Sequence, residues 1–368
     1  MTLVKAKRDE LLAPLSAVSG IIERRHTLPI LSNVLIDRAE GVLSFLATDI
    51  EIQITARSTL AAGGDARPVT VGARKLVDIL RALPEGAEVT LQQQEKRLQL
   101  KAGKSRFVLQ TLPAEDFPRL ARPSGEVARF ALAQKELRRQ LALVQYAMAQ
   151  QDIRYYLNGL LVLVEDRQLR LVATDGHRLA YAALALPASL PRLEVIVPRK
   201  TVLELSKLLA DSDDEVRIEL SATQAAFSFG AVELVSKLVD GKFPDYTRVI
   251  PTQHKNQVTL EREVLRQALQ RAAILSNEKF RGVRWVLTDG SLKIVSSNAE
   301  QEEAQEELEV TYGGDALDIG FNVNYLLDVL NNVPAAEVQC RFGDAASSAL
   351  LQFPAEPEFK YVVMPMRI

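Results

Sequence analysis

An internal repeat constrains this chain more than any other feature, because a self-similar sequence folds into self-similar units. Leu46-Ala47-Thr48-Asp49 returns 126 residues later as Val172-Ala173-Thr174-Asp175, each time ending a strand-like run that follows an acidic turn (Asp37 to Gly41; Glu165 to Gln168). Val295-Ser296-Ser297-Asn298 is a fainter third copy. Leu76 to Leu80 likewise returns as Val202 to Leu205 and Leu326 to Leu330, at offsets of 126 and 124. Phe117-Pro118 and Phe243-Pro244 keep the same spacing and read as linkers, while the third copy stops at that stage, in Tyr361 to Ile368. The period is too long for a solenoid and predicts three full domains of one fold, at 1–123, 124–250 and 251–368.

Each unit opens with apolar residues at helical spacing: Leu11, Leu12, Leu15 and Val18; Leu137, Leu141, Val144 and Met148; Val264, Leu265, Ala268 and Leu269. Alternating strands follow, such as Leu160 to Val164 and Gln168 to Ala173. A second short helix is expected at Lys75 to Leu83, Lys200 to Leu209 and Asn324 to Asn331, and then more strands. The class is α+β, with two helices plus antiparallel sheets in each of three tandem copies.

Composition narrows the function. With 368 residues, 47% hydrophobic, and 45 Lys+Arg against 47 Asp+Glu, the chain is ordinary globular protein, and disorder, collagen and a disulfide scaffold are excluded. No run approaches the roughly 20 apolar residues of a membrane span, and Met1 to Glu10 is charged where a signal peptide is apolar, so a cytoplasmic location without membrane contact is expected. Cys340 has no disulfide partner, and with His26, His177 and His254 it makes no zinc spacing; no metal or cofactor is expected.

Divided by unit, the net charge is +4 for residues 1–125, zero for 126–250 and −6 for 251–368. Lys96, Arg97, Lys101, Lys104 and Arg106 lie on a hairpin late in the first unit, and Glu300, Glu302, Glu303, Glu306 and Glu307 form a run in the third. Such polarity favours head-to-tail association, which closes a ring when the rotation allows it; two solvated faces are the plain alternative. Four of the six expected helices also carry basic side chains off the apolar stripe: Arg74 and Arg81, Lys135, Arg138 and Arg139, Lys200 and Lys207, Arg262 and Arg266. Dispersed cations of this kind suit a phosphate backbone without base readout, and they equally suit a mixed surface in which Asp78, Glu136, Glu204 and Glu263 are interleaved.

At Arg154-Tyr155-Tyr156-Leu157-Asn158-Gly159, Ala173 to Leu179, Val197-Pro198-Arg199-Lys200, Phe243-Pro244-Asp245-Tyr246, Ile274 to Val283 and Tyr361 to Arg367, the chain closely resembles the bacterial DNA polymerase III β subunit family, the sliding clamps. The match spans all three units. The resemblance implies clamp-type domains, two chains per ring, helices around a central hole, and a homodimer that encircles duplex DNA without sequence preference and tethers the replicative polymerase. It implies no catalysis and no cofactor. Opening would fall to a separate ATP-driven clamp loader.

The resemblance further assigns residues. A cleft for partner peptides falls to Leu157, Thr174, Gly176, His177, Arg178, Leu179, Pro244, Arg248, Val249, Asn322, Tyr325, Ser348, Val362, Met364, Pro365, Met366 and Arg367. Two of four methionines lie in the last five residues, and methionine suits a groove that accepts many peptides. An apolar terminus should be docked; a last strand that only packs into the core fits the same residues. Ile368 stands where the family often ends in Leu. For DNA the resemblance points to Arg25, beside His26 where relatives often carry proline, and to Gln151, Tyr155 and Tyr156, with Arg199 and Lys200 as helix cations. For the ring it sets Lys75, Arg97, Lys104, Arg106, Phe107 and Leu109 against Ile274, Leu275, Glu302, Glu303 and Glu306.

Three patterns mimic chemistry. Asp175 and His177 sit like an acid–base pair, but Asp-Gly is a turn dipeptide and the copy Asp49-Ile50-Glu51 has no histidine. Gly103-Lys104-Ser105 lacks the first glycine of a phosphate loop, since position 98 is Leu98. Asp211 to Glu215 lacks the glycine of a calcium loop and reads as a solvated hairpin. A peptide-collecting scaffold that ignores DNA, and a DNA-processing enzyme, are the rival readings.

Overall fold

The computed structural model describes residues 1–23, 28–39, 41–61 and 67–368. The first repeat runs β1 (Thr2–Lys7), α1 (Arg8–Ser19), β2 (Asn33–Ala39), β3 (Val42–Thr48), β4 (Ile52–Ala61), β5 (Val69–Gly72), α2 (Ala73–Ala82), β6 (Glu88–Gln94), β7 (Arg97–Ala102) and β8 (Ser105–Leu112). The second runs β9 (Ala128–Ala133), α3 (Gln134–Val144), β10 (Gly159–Thr174), β11 (Arg178–Pro198), α4 (Arg199–Leu208), β12 (Glu215–Leu220), β13 (Gln224–Phe229) and β14 (Val232–Lys237). The third returns to the first pattern: β15 (Asn256–Glu261), α5 (Arg262–Ala273), β16 (Gly282–Thr288), β17 (Ser291–Ser297), β18 (Glu303–Glu309), β19 (Leu317–Asn322), α6 (Val323–Asn332), β20 (Glu337–Phe342), β21 (Ala349–Phe353) and β22 (Glu356–Val363).

The middle copy differs because β10 spans the lengths of both β2 and β3, and β11 those of β4 and β5. The acidic turn expected at Glu165 to Gln168 is therefore absent. The strand continues through two register shifts, with Asp166 at φ +52 absorbing the irregularity.

The chain forms two compact units. The first comprises residues 1–138 and 203–238 and carries a twelve-stranded antiparallel sheet in the order β1-β6-β7-β8-β5-β2-β3-β4-β14-β13-β12-β9. The second comprises 139–202 and 239–368, with a six-stranded sheet, β10-β11-β22-β21-β20-β15, and a four-stranded sheet, β18-β17-β16-β19.

Helices form where the apolar period is helical, and each buries that stripe. Leu11, Leu15 and Val18 of α1 are fully buried, and α1 packs beside α2, which buries Leu76, Val77 and Leu80. Leu265, Ala268 and Leu269 do the same for α5 against α6, whereas Val264, expected on this stripe, is 43% exposed. Glu10 accepts the Lys7 N–H at 2.7 Å and Asn322 accepts the Asn324 N–H at 2.9 Å, so the first turns of α1 and α6 are capped by their own sequence. In the third repeat the core is aromatic: Trp285 lies edge-on to Phe321 at 5.6 Å and to Phe342 at 6.2 Å, and all three are buried. Cys340 lies fully buried in the same repeat, and burial pushes its thiol up to about 12.

Trp285 is the chain's one tryptophan. Trp285→Ala should destabilise the second unit by about 3–5 kcal/mol, measured as a lower urea midpoint by circular dichroism. An unchanged midpoint would show that the aromatic core is not stabilising.

Candidate binding cleft and open strand edges

The cleft is built on a turn that the repeat makes twice. Between β10 and β11, Thr174 Oγ1 donates to Arg178 O at 2.6 Å and accepts from Gly176 N at 3.1 Å, while Asp175 Oδ1 accepts from His177 N at 2.9 Å and Arg178 N at 3.1 Å. Between β3 and β4, Thr48 Oγ1 donates to Ile52 O at 2.8 Å and accepts from Ile50 N at 3.0 Å, and Asp49 Oδ1 accepts from Glu51 N at 3.0 Å and Ile52 N at 2.8 Å. The Thr-Asp pair is thus a turn device that satisfies main-chain donors. Asp175 is committed to the backbone and to Arg178, and no acid–base pair forms with the exposed His177.

Around this turn the second unit holds an apolar cavity of about 190 Å³, lined by Arg154, Tyr156, Leu157, Thr174, Gly176, Arg178, Leu179, Phe243, Pro244, Tyr246, Val249, Val362 and Met364. Leu157, Leu179, Phe243 and Val362 are buried in its floor, and Tyr181 stacks on Tyr246 at 5.8 Å behind it. Nine of these residues belong to the expected cleft set. Phe243 was read as linker, and both Phe243 and Tyr246 belong to a motif of the resemblance, but neither was assigned to the cleft. Tyr156, expected at the DNA, is among the lining residues, and Arg154 was not among the expected site residues.

Arg178 organises the wall. Its side chain is 9% exposed, with Nε on Asp175 Oδ2 at 3.1 Å, Nη1 on Asp328 Oδ2 at 2.5 Å, Nη2 on Tyr146 O at 2.6 Å, and its plane 4.5 Å from the Tyr325 ring. Burial disfavours this charge, but Tyr361, Asp328 and Asp175 outweigh it and raise the guanidinium above its ordinary value. Burial in turn pushes the Tyr361 and Tyr146 phenols up. Tyr361 donates to Tyr325 O at 2.8 Å, while the Tyr146 hydroxyl is buried without a partner.

The other expected cleft residues are not among those that line the cavity. Arg248 is exposed, Asn322 caps α6, and Ser348 O faces His254 Nε2 at 2.7 Å. The terminus is docked: Met364 N donates to His177 O and Met366 N to Gly320 O, both at 2.9 Å. Gly320 is required there, because a Cβ would collide with the Met366 carbonyl. Pro365 and Met366 are half-buried and Arg367 is exposed; Ile368 leans on Gly282 and Gly320.

Arg25 and His26 lie outside the described residues. Gln151, in a left-handed conformation, and Tyr155 are exposed; Lys200 is half-buried, and Arg199 donates to Met148 O at 3.1 Å, burial lowering its pKa. Several helix cations expected on a solvent face are engaged: Lys135 with Asp213, Lys207 with Glu204, Arg139 with Glu356, Arg266 with Glu263, and Arg262 with the carbonyls of Ala335 and Leu330. Asp213 thus belongs to the connection from α4 to β12, where a hairpin was expected. Arg74, Arg81 and Arg138 are exposed.

Two strands carry the charged ends. In β8, Arg106 is exposed and Phe107 and Leu109 half-buried, and pairing with β5 reaches only Thr111 and Leu112; Lys104 is exposed in the β7–β8 turn, where Gly103 at φ +56 makes a plain hairpin corner. A groove of about 380 Å³ beside it is lined by Lys75, Leu109 and Leu112 among others. β18 is the edge of its sheet. Glu302 and Glu303 are exposed, but Glu306 is half-buried and holds Arg271 at 2.5 and 2.8 Å, so its charge is already matched within the chain. Ile274 is 76% exposed beyond α5, and Leu275 is half-buried. Arg97 is exposed at the start of β7 and Lys75 on α2.

Asp152 takes the Nε and Nη2 of Arg154 at 3.0 and 2.9 Å, and this lowers its carboxyl to about 2 from an ordinary 3.8. The pair should therefore be fully formed at neutral pH and lost only as pH falls from about 4 towards 2. Carboxyl NMR should find the Asp152 midpoint near 2 and, in Arg154→Ala, back in the usual range; equal midpoints would remove Arg154 from this role.

Three family models cover the chain: DNA polymerase III beta subunit, N-terminal domain at residues 2–121, central domain at 131–245 and C-terminal domain at 247–367. The beta sliding clamp of Salmonella typhimurium is 47% identical over 362 residues, covering 98% of this chain and 99% of the relative, and that of Pseudomonas aeruginosa is 48% identical over 363 residues with the same coverage. Among solved structures, the P. aeruginosa DNA polymerase sliding clamp superposes with a TM-score of 0.95 at 46% identity, and Caulobacter crescentus pol III beta with 0.93 at 40%, each over the whole of both chains. With three tandem clamp domains, the chain belongs to the family of the DNA polymerase III β subunit, the β sliding clamps, non-catalytic processivity factors of the replicative polymerase.

Proposed function

We propose that two copies of this chain close head to tail into a ring around duplex DNA, each chain contributing domains at 1–123, 124–250 and 251–368. One observation carries the reading. Inside the first unit β14 of the second repeat pairs antiparallel with β4 of the first, at Val232↔Ala56 through Ser236↔Ile52. Inside the second unit β22 of the third repeat pairs in the same way with β11 of the second, at Val363↔Arg178 through Lys360↔Tyr181. By the same repeat, β8 and β18 are the strands that would make the third such junction, and they belong to the first and the third repeat. A second copy supplies the missing partner.

Charge and shape support that junction. Arg97, Lys104 and Arg106 would face Glu302 and Glu303, and the exposed Ile274 with Leu275 would enter the groove beside Lys75, Phe107 and Leu109, which adds the apolar contact that surface ion pairs lack. Glu306 would contribute through Arg271 rather than directly. Arg25, Gln151, Tyr155, Arg199 and Lys200 are proposed to meet the phosphate backbone, with Arg74, Arg81 and Arg138 as further cations of the hole. The cavity around Gly176 and Met364 is proposed to take a peptide of the replicative polymerase, of the clamp loader and of other partners; His177, Arg248, Asn322, Tyr325, Ser348, Pro365, Met366 and Arg367 would frame it. Griselimycin is bound to the P. aeruginosa clamp in one solved complex, and an apolar cavity of this kind is proposed to bind it here. The working place is the cytoplasm.

Enclosure is tested with DNA topology. Loaded protein should stay on closed circular DNA and be lost within minutes of linearisation; equal retention on both forms would exclude a ring. Glu302→Lys/Glu303→Lys should raise the dimer dissociation constant about tenfold, ~1.4 kcal/mol, and more at low salt because exposed charges are screened beyond about 10 Å at 0.1 M. An unchanged sedimentation profile would exclude this edge.

A further inference from the structure

The repeat that builds the cleft in the second unit also builds its counterpart in the first, at the turn of Thr48 to Ile52. The hydrogen bonds of the two turns agree one for one, so residues 126 apart occupy equivalent places. At the place of Gly176 stands Ile50, and at the place of Leu179 stands Gln53. Both turns need a left-handed residue here: φ is +91 at Gly176 and +71 at Ile50. Glycine accepts this without strain, whereas a β-branched residue is a genuine outlier. Such strain persists where something else requires the side chain.

The space explains the requirement. Over Gly176 lies the Arg154 guanidinium, 2.9 Å from where a Cβ would be, and Arg154 is part of the cavity wall. A side chain at Gly176 would displace the guanidinium that forms part of that wall. In the first unit the branched side chain of Ile50 projects from the same point of the turn. Leu179 forms cavity floor, and across the cavity the linker residue Tyr246 forms wall. The matching pair in the first unit is tied together: buried Gln53 accepts the Leu120 N–H at 2.8 Å, which holds the linker down on β4.

We propose that Ile50 and Gln53 are specificity-determining residues that close the first-repeat copy of the peptide cleft, so that each chain captures one partner and not two. The inference rests on the cleft assigned above. A protein with two equivalent clefts per chain would hold partners at both junctions; Ile50, 38% exposed at the mouth of the turn, and Gln53, buried beneath it, would restrict them to the second unit.

The test is a titration of full-length dimer with a fluorescent synthetic peptide carrying the clamp-binding segment of the polymerase catalytic subunit, read by anisotropy and calorimetry. The unaltered protein should bind one peptide per chain; no binding would sink the cleft assignment itself. Ile50→Gly/Gln53→Leu should bind two per chain, and a folded dimer of this variant that still binds one overturns the inference. Gly176→Ile/Leu179→Gln should bind none, and a folded dimer with undiminished binding overturns it equally. Ile50→Gly alone should melt at or above the unaltered Tm, since strain is relieved; a fall of several degrees would mean that Ile50 is kept for stability and would also overturn the inference.

Discussion

The architecture depends on unsatisfied strand edges. An exposed edge offers a row of N–H and C=O groups to any complementary strand, and here the last strand of the second and of the third repeat pairs with the strand that follows the Thr-Asp turn in the repeat before it. The β14–β4 and β22–β11 ladders are the two places where that rule is met inside one chain. Because main-chain bonding ignores side-chain identity, the same junction can be remade with different surfaces at each occurrence. The side chains then decide only which edges would meet, and β8 and β18 carry charge of opposite sign.

Much of this was legible in the residues. The Thr-Asp pair recurs because its side chains are the cheapest way to satisfy the turn's donors, so repetition of sequence is repetition of hydrogen bonds. Apolar stripes at helical spacing located all three opening helices, with Val264 the exception because α5 turns that position outward. The fusion of strands in the middle repeat was hidden, since a single left-handed residue, Asp166, replaces a turn with a bulge and leaves composition unchanged. Engagement of the helix cations was hidden for a related reason: Arg262 reaches carbonyls of residues 330 and 335, distant in sequence. The turn and the terminal strand beside the cavity were legible; the places of Phe243 and Tyr246 in its lining were not, because a linker has no periodicity to read.

Arg178 shows how a site residue can be structural and functional together. A buried guanidinium is costly unless every donor is met, and here two carboxylates, one carbonyl and one aromatic face meet it. The price is rigidity: the wall of the cavity is fixed in advance, which would lower the ordering cost of the proposed peptide binding. Its counterpart in the first repeat, Ile52, is simply buried.

The docked carboxy terminus has a practical corollary. Ile368 is 67% exposed and lies four residues beyond Met364 in the cavity wall. Any polypeptide genetically appended there is leashed beside the opening at an effective concentration in the millimolar range. Purification tags and reporter fusions joined after Ile368 would therefore compete within the molecule for the proposed cleft, and inhibitors tethered at Ile368 would gain from the same proximity.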